Sequence, residues 1–262
     1  MTHLYIDFSN IIHHNHNREL KEVLTICTKI FAHRGASRYA PENTMAAFKR
    51  AYHLGADGIE LDVHLTRDHQ VAVIHDENIK RTTNHSGLVN HFSLSELQRL
   101  DAGSWFHSQY NGEKIPSLED VLQWIQHKHM TLNIELKTDV IHYHQIEEHV
   151  VSLIHKYNLE KQTILSSFNP ATIERLNLIQ SDIELAWLRQ KRLKNIAYQL
   201  AAIGADSLHI HHRLLNTPMI QEIKSKQIPF RVYTVNKPKI WRQCVSQRAN
   251  GIMTDIPDLL QE

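Results

Sequence analysis

From residue 29 to residue 254, short runs of apolar and β-branched residues alternate with longer stretches whose apolar residues recur three and four apart. The short runs predict strands over 30–33, 58–65, 71–75, 132–137, 163–168, 183–188, 207–211, 230–235 and 251–254. The longer stretches predict helices over 44–54, 118–127, 145–157, 170–179, 193–203, 218–226 and 238–247. Such alternation is the pattern of parallel βα units.

Punctuation residues agree with these boundaries. Asn43 is placed to cap the first helix. Ser117 and Asp120 have the spacing of a capping box, with Asp standing where Glu or Gln is usual. Pro170, Pro218 and Pro238 each sit near a helix start, where a missing N–H costs nothing. LGADGIELD (54–62) is echoed by IGADSLHIH (203–211) and more loosely by RANGIMTD (248–255), each a helix end, a Gly or Asn stop and a strand.

Nine strands are one too many for an eight-stranded barrel. The five residues between 65 and 71 cannot hold a crossover helix, so 58–65 and 71–75 form an antiparallel hairpin. Counted once, the hairpin leaves a single (β/α)₈ TIM barrel. Residues 77–116, rich in Asn, Ser, Gly and His, become an insertion after the second-strand hairpin, and long loops on such barrels serve the site. The barrel domain spans 29–262, preceded by an N-terminal extension, 1–28.

Composition narrows the partners. A formal net charge of +1 argues against a nucleic-acid surface driven by bulk charge. Cys27 and Cys244 have no paired spacing, so they form neither a disulfide framework nor a thiolate zinc site. The N-terminal stretch lacks the pattern of a secretory signal, and no window approaches a membrane span, which points to the cytoplasm. With 21 histidines in the chain, one histidine carries little weight alone, and His13, His14 and His16 read as a solvated segment rather than a metal tract.

In a βα barrel, chemistry sits where the strands end. The first strand ends in His33 and Arg34, and the hairpin partner of the second ends in His75 and Asp76. Glu60 and Asp62 share one face of the second strand, as Glu135 and Lys137 share one face of the next. These pairs could be outward positions on half-exposed strands. Barrel strands are covered outside, however, so the charges belong in the mouth. Three carboxylates aimed together repel, and a divalent cation resolves the repulsion; an all-oxygen set favours Mg²⁺ or Ca²⁺. Arg34 and Lys137 beside them suit a phosphate. Two histidines supply the base and the acid that phosphodiester cleavage needs.

These residues carry a resemblance. HRGASRYAPENT (33–44), GADGIELDVHLTRDHQVAVIHD (55–76) and the RTT to LDAGSWF run (81–106) are similar to the glycerophosphodiester phosphodiesterase family. IPSLEDVL (115–122), LNIELK (132–137), SSF (166–168), YTVN (233–236) and GIMTD (251–255) follow in order, so the likeness covers most of the chain. It implies a barrel related to the phosphatidylinositol-specific phospholipase C barrel. It also implies hydrolysis of glycerophosphodiesters to glycerol 3-phosphate and an alcohol. Carried over, His33 is the general base and His75 the general acid; Glu60, Asp62 and Glu135 are metal ligands; Arg34 and Lys137 bind phosphate. Glu42 supports the metal or orients His33 and Arg34. Tyr233 replaces a Trp common in the family and keeps an aromatic wall. The alternatives are a phospholipase D-like action on lysophospholipids, with substrate length decided by 77–116, and a non-catalytic phosphate-binding barrel.

Overall fold

The structure, a computed structural model, describes residues 28–179 and 182–258. The extension, 1–27, with its histidine tract and Cys27, lies outside the described residues. Nine strands are present: β1 (Lys29–His33), β2 (Gly58–Leu65), β3 (Val71–Val73), β4 (Thr131–Leu136), β5 (Thr163–Ser167), β6 (Glu184–Arg189), β7 (Ser207–His211), β8 (Phe230–Tyr233) and β9 (Gly251–Thr254). All but β3 pair in parallel, in the order β1-β9-β8-β7-β6-β5-β4-β2, and β1 pairs with β2 to close the ring. β3 runs antiparallel to β2, Val63 opposite Val73, as the short 65–71 connection requires. The fold is an eight-stranded TIM barrel with a hairpin appended to its second strand.

The helices are α1 (Met45–His53), α2 (Leu94–Leu97), α3 (Leu118–Ile125), α4 (Ile146–Lys156), α5 (Pro170–Ile179), α6 (Ile196–Ile203), α7 (Pro218–Ser225) and α8 (Pro238–Ser246). Ser117 and Asp120 form the expected capping box at α3. Such a cap stabilises the helix by about 1 kcal/mol over an alanine. Gly204 closes α6 at φ +70, where a side chain would collide with Asn177; this is the stop that the repeated GAD pattern foretold.

One expectation fails. Thr44, not Asn43, caps α1, its hydroxyl accepting from the Ala47 N–H. Asn43 instead takes a left-handed conformation, φ +56, which asparagine tolerates better than most residues. That turn sends its amide into the barrel mouth.

Two-residue alternation along each barrel strand separates the core into two layers. On β2, Ile59, Leu61 and Val63 face the helical shell and join its main apolar cluster. Glu60 and Asp62 alternate with them and face inward, both almost fully buried. Phe31, Ile164, Ala186, Leu188 and Met253 fill the barrel interior. Glu184 and Arg231 also meet between barrel strands, with both terminal guanidinium nitrogens donating to the carboxylate, at 2.6 and 3.0 Å.

The excursion 77–116 folds into single turns, with α2 among them, over a small core of its own that includes Ile74, Ile79, Val89, Leu97 and Ile115. It is tied to the β1–α1 region by the Tyr110 hydroxyl, which donates to the Tyr39 carbonyl at 2.7 Å, and by Glu113, which accepts from the Ala46 N–H at 3.2 Å.

Candidate active site

The chain turns sharply after β1. Arg34 is left-handed at φ +56, and Gly35 follows at φ +80, with a hypothetical Cβ only 2.7 Å from the Ala47 backbone. Only glycine fits there. The turn points the Arg34 N–H at Glu60, 2.8 Å away, and brings the guanidinium to Glu42 at 2.9 Å and Asp62 at 3.4 Å. Strand register supplies the rest: His33 lies opposite Glu60, and Asp62 opposite Glu135.

One pocket of about 240 Å³ at the mouth is lined by His33, Arg34, Glu60, His75, Glu135 and Lys137, with Tyr233 and Phe168 on its wall. Tyr233 packs edge-on against Phe168, ring centres 6.1 Å apart. Of the sequence-predicted residues, Glu42 and Asp62 are not among those lining the pocket.

Donor atoms of Glu60, Asp62 and Glu135 lie within 4.8 Å of one another. Three buried carboxylates at this spacing cannot all ionise unaided. Burial, together with the charge of Asp62, pushes Glu60 up to about 8. Burial also raises Glu135, although Lys137 works against the shift. Asp62 is held low despite its burial, because Arg34, His75 and Lys137 face it. Asn133 is buried beside them, and its side-chain oxygen lacks a hydrogen-bond partner. An all-oxygen donor set with an orphaned acceptor and uncompensated repulsion fits a hard divalent cation.

Each histidine has a carboxylate behind it. His33 Nδ1 lies 2.7 Å from Asp255, and His75 Nδ1 lies 2.6 Å from Asp76. With Nδ1–H donated backward, each ring keeps Nε2 for chemistry. Burial opposes charge on His33, but the Asp255 hydrogen bond and the Glu60 charge outweigh it, and its pKa is raised. Asp255 is itself fixed by Asn236 and by the Ser37 hydroxyl at 3.2 Å. Lys137 Nζ stands 3.4 Å from His75 Nε2 and 2.8 Å from Glu135. Burial disfavours its charge, yet Glu135 and Asp62 hold the ammonium charged.

Spacing gives no sign of several residues that brace the site. Asn43 donates to Asp62 at 2.9 Å, and its amide oxygen accepts from the Asp62 N–H at 3.3 Å. Arg81, from the excursion, grips Glu42 through two nitrogens, both at 2.8 Å, and Asp76 at 2.7 Å. Glu42 binds two arginines, Arg34 among them, and is not one of the three clustered carboxylates. Its link to a histidine runs to His75 through Arg81 and Asp76, and not to His33. His64, two residues beyond Asp62, bonds the Tyr143 hydroxyl at 2.8 Å and the His75 carbonyl at 2.9 Å, bracing the strand end that carries His75.

A closed βα barrel whose mouth combines three carboxylates, two carboxylate-backed histidines and two cations defines a hydrolase of phosphate esters. The sequence model of the glycerophosphoryl diester phosphodiesterase family matches residues 33–259, and the chain belongs to that family. A glycerophosphodiester phosphodiesterase of Caldanaerobacter subterraneus subsp. tengcongensis is 38% identical over 233 residues, covering 89% of this chain and 96% of the relative. The crystal structure of a glycerophosphodiester phosphodiesterase from Agrobacterium tumefaciens superposes with a TM-score of 0.77 at 32% identity, over 88% of this chain and 98% of that one. A phosphodiesterase of Oleispira antarctica, solved with the product sn-glycerol-3-phosphate, gives 0.81 at 28% identity, over 90% of this chain and 96% of its own.

Proposed function

We propose that this chain hydrolyses glycerophosphodiesters, the deacylated forms of phospholipids, to sn-glycerol 3-phosphate and an alcohol. The observation that carries the proposal is the convergence of His33 and His75, each backed by a carboxylate, on a pocket that also holds Arg34 and Lys137. His33 Nε2 takes the proton from the attacking oxygen, either the glycerol 2-hydroxyl or water. His75 gives a proton to the departing alkoxide. Attack by the 2-hydroxyl forms a cyclic phosphate, which water opens with the two histidines in exchanged roles. Arg34 and Lys137 offset charge on the non-bridging oxygens. Asp255 and Asp76 hold each ring in the tautomer these transfers need.

Glu60, Asp62 and Glu135 are the residues that would hold Ca²⁺ or Mg²⁺, with Asn133 beside them. When bound, such an ion neutralises the carboxylates and polarises the phosphate. The same reading assigns the barrel to 29–262, and the free, buried thiol of Cys244 accords with a reducing, cytoplasmic setting.

The test is release of glycerol 3-phosphate from glycerophosphocholine and glycerophosphoethanolamine, with chelator and then with each cation. Lysophosphatidylcholine runs alongside, since preference for it would favour the phospholipase D-like alternative. Wild-type turnover by His33→Ala or His75→Ala would overturn the two-histidine scheme.

A further inference from the structure

Beyond His75 the phosphate pocket opens into a second groove, which shares His75, Lys137 and Phe168 with it. An alcohol protonated by His75 departs on this side. We propose that this groove is a leaving-group subsite for alcohols carrying negative charge, such as a second phosphate, and that Arg189 reads that charge. The proposal rests on the phosphodiesterase reading and deepens it.

The first observation is the balance of charge. Lys137, Arg189 and Lys191 line the groove, and Asp139 is the one carboxylate lining it among the described residues. Asp139 is exposed, so the groove sets three cations against one carboxylate. Arg189 opens the run RQKRLK (189–194), with four cations in six residues, and Arg192 and Lys194 are also exposed.

The second observation is that Arg189 is prepositioned. Its guanidinium stacks 4.4 Å over the Trp187 ring, and Trp187 is in turn fixed by donating to the Phe168 carbonyl at 3.3 Å. Its Nε is buried without a hydrogen-bond partner. A half-buried guanidinium on a fixed aromatic platform at the groove is matched to a phosphate or carboxylate.

The third observation disfavours the opposite chemistry. A quaternary ammonium is recognised by open aromatic faces. Here Phe168 has Lys137 Nζ 5.9 Å from its centre, and Trp187 is covered by Arg189. A choline group would meet the chain's own cations where an aromatic cage would be needed. None of the residues lining the groove comes from 77–116, so the β6–α6 connection, rather than the excursion, meets the leaving group.

The test measures kcat/KM at low salt for glycerophosphocholine, glycerophosphoinositol and glycerophosphoinositol 4-phosphate, whose alcohols are cationic, neutral and anionic. The expected order rises with negative charge, by about tenfold or more between the ends, and the spread shrinks at 0.5 M salt, as roughly expected when the screening length falls to a few ångströms. Arg189→Gln should reduce kcat/KM on the inositol 4-phosphate substrate at least fivefold more than on glycerophosphocholine. Lys191→Gln should do the same more weakly. Thermal melts establish that each variant is folded. A flat or inverted order, or an order untouched by Arg189→Gln, overturns the subsite. Hydrolysis of none of the three overturns the phosphodiesterase reading itself, a distinct result.

Discussion

His33 on β1 and Asp255, just beyond β9, meet at 2.7 Å although 222 residues separate them in sequence. The contact raises the basicity of a ring whose burial alone would lower it. A base must be deprotonated to act, so its pKa sets the acid limb of the pH–rate profile. Asp255→Asn removes the charge, lowers the His33 pKa and moves that limb to lower pH. The plateau should fall too, by roughly 10²-fold or more, because the ring loses its preferred tautomer. A profile whose acid limb stays in place would show that Asp255 does not tune His33.

The proposed acid, His75, is separable from the proposed base, His33, by the leaving group. 4-Nitrophenolate departs without a proton, so a 4-nitrophenyl ester of glycerol phosphate bypasses the need for His75. His75→Ala should lose about 10²–10⁴-fold on glycerophosphoethanolamine and far less on the nitrophenyl ester. His33→Ala should lose heavily on both. Equal losses on both substrates for His75→Ala would remove it from the role of general acid.

Glu42 touches two arginines, and through Arg81 and Asp76 it is linked to His75. Glu42→Gln weakens two charge-assisted contacts at once. The expected loss in kcat/KM is about 10- to 100-fold, the range for hydrogen bonds to charged groups. Arg81→Gln should cost a similar amount, and the double variant should be little worse than either. Fully additive losses would mean that the two residues act independently.

The carboxylate cluster makes a prediction about stability. Glu60 titrates near 4.5 when unfolded and near 8 when folded, so between these values the folded chain binds the extra proton. Stability without metal therefore falls as pH rises across that window. His33, raised in the folded state, acts with the same sign. Asp62, held low, contributes oppositely, but only at more acidic pH. In chelator the Tm should drop between pH 5 and pH 8, and Ca²⁺ or Mg²⁺ should restore more at pH 8 than at pH 5, roughly 3 °C or more for each kcal/mol. A cation effect independent of pH would argue that the carboxylates are not its ligands.

Much of this site is legible in local pattern, and the reason is geometric. A barrel strand alternates strictly between shell and interior, so charged residues two apart on otherwise apolar strands announce the interior; Glu60-x-Asp62 and Glu135-x-Lys137 do so directly. The end of a strand is also readable, which singled out His33 and His75. Asp255, Arg81 and Asn43 escaped because their roles exist only across the fold. Arg81 reaches Glu42 over 39 residues, and Asn43 looked like a helix cap because its type suits one. The left-handed turn that diverts it to Asp62 has no signature in spacing. Edges were less sharp than cores: β3 stops at Val73, short of the predicted 75, and β8 at Tyr233, short of 235, although Ile74 and Val235 still donate to Asp62 and Met253 of the neighbouring strands.

The pairing of β1 with β9 has a consequence for when activity can arise. During synthesis Glu60, Asp62, Glu135 and both histidines emerge well before residue 255. Until β9 docks beside β1, His33 has no carboxylate behind it and the ring of strands is open. The His33–Asp255 contact is thus completed by the same event that seals the barrel.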